Sequence, residues 1–187
     1  MTGPAPIAGP ESSGAEERPG FWDFSLAVYA DPATAAACLD LQNRFDLDVN
    51  LLLFCLFAGC NGRKLSVDDL SRLDETVRPW RIQVIHPLRA ARRWIKSAGA
   101  SAATEAVRRQ VLDTELAAEH HQQRLMERAL PIAPGRLDDE ACAANLRNYA
   151  AALGRQPGGP LDTALASLCR QSIETARRQR TPRPSAG

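Results

Sequence analysis

The stretch from Asp48 to Gly59 constrains the fold of this chain more than any other part of it. It reads Asp-Val-Asn-Leu-Leu-Leu-Phe-Cys-Leu-Phe-Ala-Gly, and nine of its ten inner residues are apolar. A helix that is apolar on every side is stable only when other elements surround it. We therefore expect a central helix at about 48–59, with the Asp48 carboxylate capping its start and Gly59 ending it in the left-handed conformation.

The segments on either side have the pattern of amphipathic helices. Asp31-Pro32 and the Ser66/Asp69 pair are typical helix starts, and apolar residues recur at helical spacing between the turn signals. Helices are expected at about 21–29, 32–45, 67–78, 87–97, 102–130, 138–153 and 161–178. Pro79 and Pro87 predict a kink or a short break. Because no run alternates with period two, the sequence predicts an all-α bundle of six to eight helices.

The longest of these helices, at 102–130, contains neither Gly nor Pro. Its apolar residues at helical spacing predict the face that packs on the core. These residues are Val107, Val111, Leu112, Leu116, Ala118, Leu125 and Met126. Glu115 and Glu119 share another face and are predicted to be surface charges.

Composition predicts one domain with two tails. The chain has 187 residues, 44% of them hydrophobic and 24% charged, which suits a globular protein of one domain. Residues 1–19 and 179–187 have the composition of disordered tails, so the helical domain is expected at 20–178. The longest apolar run is about half the roughly 20 residues that span a membrane. With no secretory signal pattern at the start, we expect a cytoplasmic protein.

Neither a cofactor nor a metal site is predicted. The five cysteines form no Cys-x-x-Cys pair and are expected to be buried packing residues. His120 and His121 are adjacent, so on a helix they point about 100° apart. The acidic clusters at 68–69 and 138–140 lack the third aspartate of an Asp-Asp-x-x-Asp motif and suit helix starts instead. No catalytic motif is present, and whether the protein is an enzyme stays open.

The segment from Thr76 to Thr104 is basic and contains no acidic residue. At helical spacing, five of its cations fall on one side if the phase is kept through Pro87. They are Arg78, Arg81, Arg89, Arg92 and Lys96. Either this face is simply solvated, or it docks an acidic protein, an anionic ligand or nucleic acid. Nucleic acid is disfavoured because no nucleic-acid-binding signature accompanies the charge and the net charge is only +1.

The sequence supports two hypotheses for function. The first is a non-enzymatic interaction or regulatory module that meets an acidic partner through the basic face. The alternative is a protein or enzyme that binds a small anionic ligand in a pocket formed by Asp48, Asn50, His86 and Arg89, provided that the fold brings them together. A purely structural role for His86 is the competing interpretation of that residue. The sequence does not indicate an oligomeric state.

Several short stretches, taken in order, resemble one protein family. They are Phe21-Trp22-Asp23-Phe24-Ser25 with Tyr29, Cys38-Leu39-Asp40-Leu41-Gln42, Asp48 to Cys55, Trp80, and Pro87-Leu88-Arg89. Over roughly residues 20–130 the chain resembles the proteobacterial family known as domain of unknown function 2390. The resemblance implies a cytoplasmic helical domain and carries no activity, ligand or partner.

Overall fold

The computed structural model describes residues 20–99, 101–156 and 158–180, and this part of the chain forms α-helices joined by short loops. The helices are α1 (Phe21–Tyr29), α2 (Pro32–Phe45), α3 (Val49–Cys60), α4 (Val67–Trp80), a π-helical segment (Arg81–Ile85), α5 (His86–Ser97), α6 (Ala102–Ala129), α7 (Asp139–Ala152) and α8 (Gly159–Arg180). No strand occurs in the described ranges. The predicted all-α fold is confirmed. The predicted tail at 1–19 lies outside the described residues. Of the tail predicted at 179–187, residues 179 and 180 belong to α8, and 181–187 lie outside the described residues.

Helix α3 is the centre of the molecule, as predicted. All twelve of its residues are buried, and α1, α2, α6, α7 and α8 pack around it. At its start, the Asp48 carboxylate accepts a hydrogen bond from the backbone N–H of Leu51 at 3.1 Å. On one side, the ring of Phe21 meets the ring of Phe54 edge to face, with centroids 5.2 Å apart.

The end of α3 differs from the prediction. The helix continues through Gly59 to Cys60, and the glycine with positive φ is Gly62 (φ 75°). Gly59 is needed for another reason: a Cβ there would lie 2.5 Å from the backbone N of Cys142 and 2.6 Å from its Cα. The prediction of a left-handed Gly59 was therefore wrong, and the glycine instead allows α3 and α7 to meet backbone to backbone.

The prolines do not break the helical path between Val67 and Ser97. Pro79 lies inside α4, and the chain then widens into the π segment, where the N–H of His86 bonds to the carbonyl of Arg81. A π turn holds an extra residue, which shifts the phase of α5 relative to α4. The prediction of a short break was therefore wrong, since residues 67–97 are helical without interruption.

The predicted packing face of α6 is only partly correct. Ala118 and Met126 are buried, but three of the predicted apolar residues are exposed. They are Val107, Leu112 and Leu116. The face turned to the core carries buried polar residues instead, namely Glu115, Gln122 and Gln123. Apolar spacing alone misplaced the face, because these polar groups are buried against polar partners on other helices.

The remaining local predictions were largely correct. Ser66 and Asp69 form the capping box, with both hydrogen bonds at 3.0 Å, and all five cysteines are buried. Burial raises the pKa of the Cys38 thiol to about 12, so that side chain packs as a neutral group. Within the described ranges, no helix combines the length and the apolar character needed to cross a membrane.

Substituting Gly59→Ala should destabilise the protein. Alanine gains about 1 kcal/mol of helix propensity over glycine, but its Cβ must displace the backbone of α7, and overpacking typically costs about 1–3 kcal/mol. We expect the cost to prevail, because the contact is with backbone rather than with a movable side chain. Urea unfolding followed by circular dichroism measures the change.

Gly20→Ala is the matched control. A Cβ at Gly20 meets nothing within 4 Å, so only a small loss of helix capping, below about 1 kcal/mol, is expected. If both variants unfolded at the same urea concentration, the close approach of α3 and α7 would be refuted.

Candidate functional site

Asp48, at the start of α3, is the hub of a buried polar network. Besides capping the helix, its carboxylate accepts hydrogen bonds from Gln122 Nε2 at 3.1 Å and Arg81 Nη1 at 3.3 Å. Its backbone N–H donates to the hydroxyl of Tyr149 at 3.0 Å. Three helices and the π segment are thus joined at one aspartate, which is 8% exposed.

Asn50 extends the network into the core. Its amide donates to Gln122 Oε1 at 3.1 Å and accepts from Gln123 Nε2 at 2.8 Å. Gln123 Oε1 in turn accepts from the hydroxyl of Ser25 at 3.2 Å. Because each of these buried amides has hydrogen-bond partners, burying them costs little free energy. The bonds also fix the positions of α1, α3 and α6 relative to one another.

Asp74 holds the two arginines nearest the start of α3. Its carboxylate is 1% exposed and accepts from Arg81 Nη1 at 2.8 Å and from Arg78 Nη2 at 2.6 Å. Arg81 therefore bridges Asp74 and Asp48. Burial lowers the pKa of the Arg81 guanidinium, but the two carboxylates outweigh burial and hold the pKa above its ordinary value. Arg81 stays charged inside the protein.

Two further arginines bind α5 to α6. Arg92 makes a bidentate pair with Glu115, at 2.6 and 3.2 Å, and Arg89 donates to Glu119 at 2.5 Å. Glu115 is buried, so its prediction as a surface charge was wrong. Burial raises the pKa of Glu119 even though Arg89 acts against it. These pairs fasten an otherwise exposed helix to the body of the protein.

The basic face predicted for residues 78–96 is thereby divided. Arg78 and Arg81 bind Asp74, and Arg81 also binds Asp48 at the start of α3. Arg89 and Arg92, which follow the phase shift of the π segment, contact α6 instead. Lys96 forms no ion pair with any described residue. Four of the five predicted cations are thus bound by carboxylates of the same chain, which the sequence pattern did not indicate.

A cavity of about 280 Å³ opens beside the start of α3. Its apolar wall consists of Leu47, Ile82 and Leu153. Its polar wall consists of Gln42, Asp46, Asp48, Asp74, Arg78, Arg81, His86, Tyr149 and Arg155. Of the four residues predicted to form a pocket, Asp48 and His86 line this cavity. Asn50 bonds to α6 within the core, and Arg89 is held by Glu119.

His86 is exposed at the rim of the cavity. Partial burial lowers the pKa of its imidazole, and the positive charges of Arg81 and Arg89 lower it further, against weaker opposite effects of Asp48 and Asp46. The imidazole of His86 therefore gains its positive charge only at a lower pH than an ordinary histidine does. His86 is close enough to the half-buried Arg81 for its pKa to feel that charge, so an anion bound between them would raise the pKa of the imidazole.

A second feature is the helical arm, defined as α5 together with residues 102–114 of α6. None of its described residues is buried, and α5 packs chiefly on α6. Trp94, near the loop at the end of the arm, is 70% exposed. Arg93, Lys96 and Arg109 form no ion pair with a described residue. The sequence analysis did not single out Trp94. Its helical spacing places it on neither the basic face nor the apolar face of this segment, and that was the available signal.

Sequence reasoning also missed several residues around the cavity. Asp74, Gln122, Tyr149 and Arg155 come from four separate places in the chain. Gln122 left a signal, because it follows buried Ala118 by one helical turn. Asp74 left another, because Arg78 follows it by four residues. Tyr149 and Arg155 reach the cavity through long-range packing that no local pattern reports.

Fold and site together define an all-helical domain with a fully buried central helix and a polar cavity at its start. A family model described as protein of unknown function (DUF2390) matches residues 20–126, more than half of the 187 residues. The chain belongs to this family. No curated protein and no solved structure matches it. The matched segment includes the Asp48 network on α3, α4 and α6, whereas Tyr149 and Arg155 lie outside it.

Replacing Asp74 with Asn should cost on the order of 3 kcal/mol, because it leaves the charge of Arg81 in a buried site with one of its two partners gone. The matched control is Asp40→Asn, which breaks the exposed Asp40–Arg44 pair and should cost less than about 1 kcal/mol. Urea denaturation of both variants at neutral pH measures the difference. Equal, small losses would show that the Asp74 ion pairs do not support the fold.

Proposed function

We propose that this protein is a non-enzymatic interaction module whose helical arm docks on an acidic protein surface that carries an apolar pocket. The observation that supports this most is the 70% exposure of Trp94 among cations that have no ion-pair partner on the described chain. Tryptophan and arginine are the residues that most often dominate binding energy at protein interfaces. The proposal revises the predicted basic face by moving the contact toward the end of the arm.

The apolar part of the contact comes from both helices of the arm. Trp94 lies three residues before the end of α5, and Val107, which is 49% exposed, is the sixth residue of α6. Because the two helices are joined by a short loop, both residues lie at the loop end of the arm. Exposed apolar groups gathered at one end of an element are typical of binding surfaces.

The charge of the arm specifies the partner. Arg89 and Arg92 are neutralised by Glu115 and Glu119, and Arg108 pairs with Glu105 at 2.6 Å. The cations left over are Arg93, Lys96 and Arg109. Against them stands Asp113, the one acidic residue of the arm without an ion pair among the described residues. The excess positive charge favours an acidic partner and raises its rate of association.

The ion pairs between α5 and α6 also prepare the arm for binding. Bidentate contacts such as Arg92–Glu115 hold α5 in place without burying any of its side chains. A surface that is already ordered loses less conformational entropy when a partner binds. We also infer a cytoplasmic location, which is supported by five cysteines that serve as buried packing residues.

Crosslinking in cell lysate with a photoreactive group at position 97 tests this proposal. Wild type should crosslink a specific acidic protein, and Trp94→Ala or the double variant Arg93→Glu/Lys96→Glu should lose at least about tenfold in affinity for it, as expected when an interface hot spot of about 1.4 kcal/mol or more is removed. The purified partner then allows the affinity to be measured by calorimetry.

Two control variants match these changes away from the arm. Leu39→Ala removes an exposed apolar residue on α2, and Arg128→Glu/Arg170→Glu reverses two exposed cations. Both should bind like wild type. Equal weakening in the arm variants and the controls would contradict a contact localised to the arm, and so would unchanged binding in all of them.

A further inference from the structure

We propose that the cavity beside the start of α3 binds a small oxyanion, a phosphoryl or carboxylate group, through Arg81, His86 and Tyr149. This site is separate from the arm and belongs to a different class of function. Three observations support it: the two buried carboxylates of the cavity already have hydrogen-bond donors, its arginine and tyrosine donors are only partly used, and an imidazole lies at its rim.

The buried acceptors of the cavity have no remaining need for a donor. Both oxygens of Asp74 are bonded to arginine, one to Arg81 and the other to Arg78. Both oxygens of Asp48 are likewise occupied, one by a backbone N–H and the other by Gln122 and Arg81. A cationic or donor-rich ligand would have to break these bonds, so the site disfavours such ligands.

The donors, in contrast, have capacity left. Arg81 uses only Nη1 in hydrogen bonds to described residues, which leaves its Nε and Nη2 groups, and Arg78 leaves its Nη1. The Tyr149 hydroxyl accepts from Asp48 N–H but donates to no described residue. Burial raises the pKa of Tyr149 well above its ordinary value, so this proton is kept for donation. Unused donors on three residues that line one cavity favour a ligand rich in acceptor oxygens.

The charges of the cavity wall are close to balanced. Three arginines, Arg78, Arg81 and Arg155, oppose three aspartates, Asp46, Asp48 and Asp74. At His86 the effect of the arginines is the larger one, since Arg81 and Arg89 outrank Asp48 and Asp46 in their influence on its pKa. Protonation of His86 would add one positive charge to this balanced wall, which favours an anion.

The size of the cavity limits the ligand. A volume of about 280 Å³ is at the lower limit of small-molecule sites, which span about 300–1,000 Å³. A phosphate monoester or a short dicarboxylate fits this range. The two sources of an oxyanion are distinguished by testing inorganic phosphate, sulfate and succinate separately at constant ionic strength.

The full chain contains only three histidines, so their imidazole resonances can be followed one by one by NMR. His86→Asn assigns the signal of His86. Phosphate, sulfate or succinate should shift this signal saturably, with a Kd on the order of 1 mM or tighter, and leave the other two in place. If none of the three anions produced a saturable shift, the proposal would be overturned.

The pH dependence has a definite sign. Free His86 should titrate below its ordinary pKa, and a bound anion should raise that pKa by favouring the imidazolium. Sulfate keeps its charge across about pH 5–8, where histidine titrates, so its affinity should increase as the pH falls. Affinity that is independent of pH, or that decreases on acidification, would contradict a site that includes His86.

The double variant His86→Asn/Arg155→Gln should weaken binding of the preferred anion at least about tenfold, equivalent to about 1.4 kcal/mol. The protein should still fold, because both side chains are exposed. Arg170→Gln, an exposed position on α8, is the charge-matched control and should bind like wild type. Equal affinity in the double variant would refute the site. Trp94→Ala should leave anion binding unchanged, which keeps this test independent of the arm.

Discussion

The structure depends on how polar groups are satisfied at one end of a helix that is buried from end to end. A buried carboxylate or amide without partners would cost several kcal/mol, yet Asp48 and Asn50 lie at the start of α3 inside the core. Their partners come from α6, α7 and the π segment. Those elements must therefore lie where they do for α3 to be buried at all.

The same requirement links the core to the functional features. Arg81 satisfies Asp48 and Asp74 with one nitrogen, and the same residue lines the cavity. The π segment gives Arg81 this direction while turning Arg89 and Arg92 toward α6, where they fasten the arm. Ion pairs within the chain thus occupy most of the cations between residues 78 and 96. Positive groups that could bind a ligand or a partner remain in two places, the cavity and the end of the arm.

The sequence predicted local features well and long-range polar contacts poorly. The central helix, the Ser66/Asp69 capping box and the start of α7 at Asp138 depend on side chains acting within one turn, so each was predictable. The role of Gly59 was not, because it depends on the backbone of Cys142, far along the chain. Nor was the burial of Glu115, whose polar character predicts exposure unless its partner Arg92 is known. Of the four residues of the predicted pocket, Asp48 and His86 line one cavity, because both lie where helices meet.

Hydrogen exchange of the backbone amides, measured by NMR under native conditions, tests the central claim most directly. If the buried helix α3 is the element on which the fold depends, its inner amides should exchange only through global unfolding, with the highest protection in the chain. The amides of α5, which buries no residue, should exchange through local opening at a lower free energy. Exchange of α3 as fast as that of α5 would contradict the account.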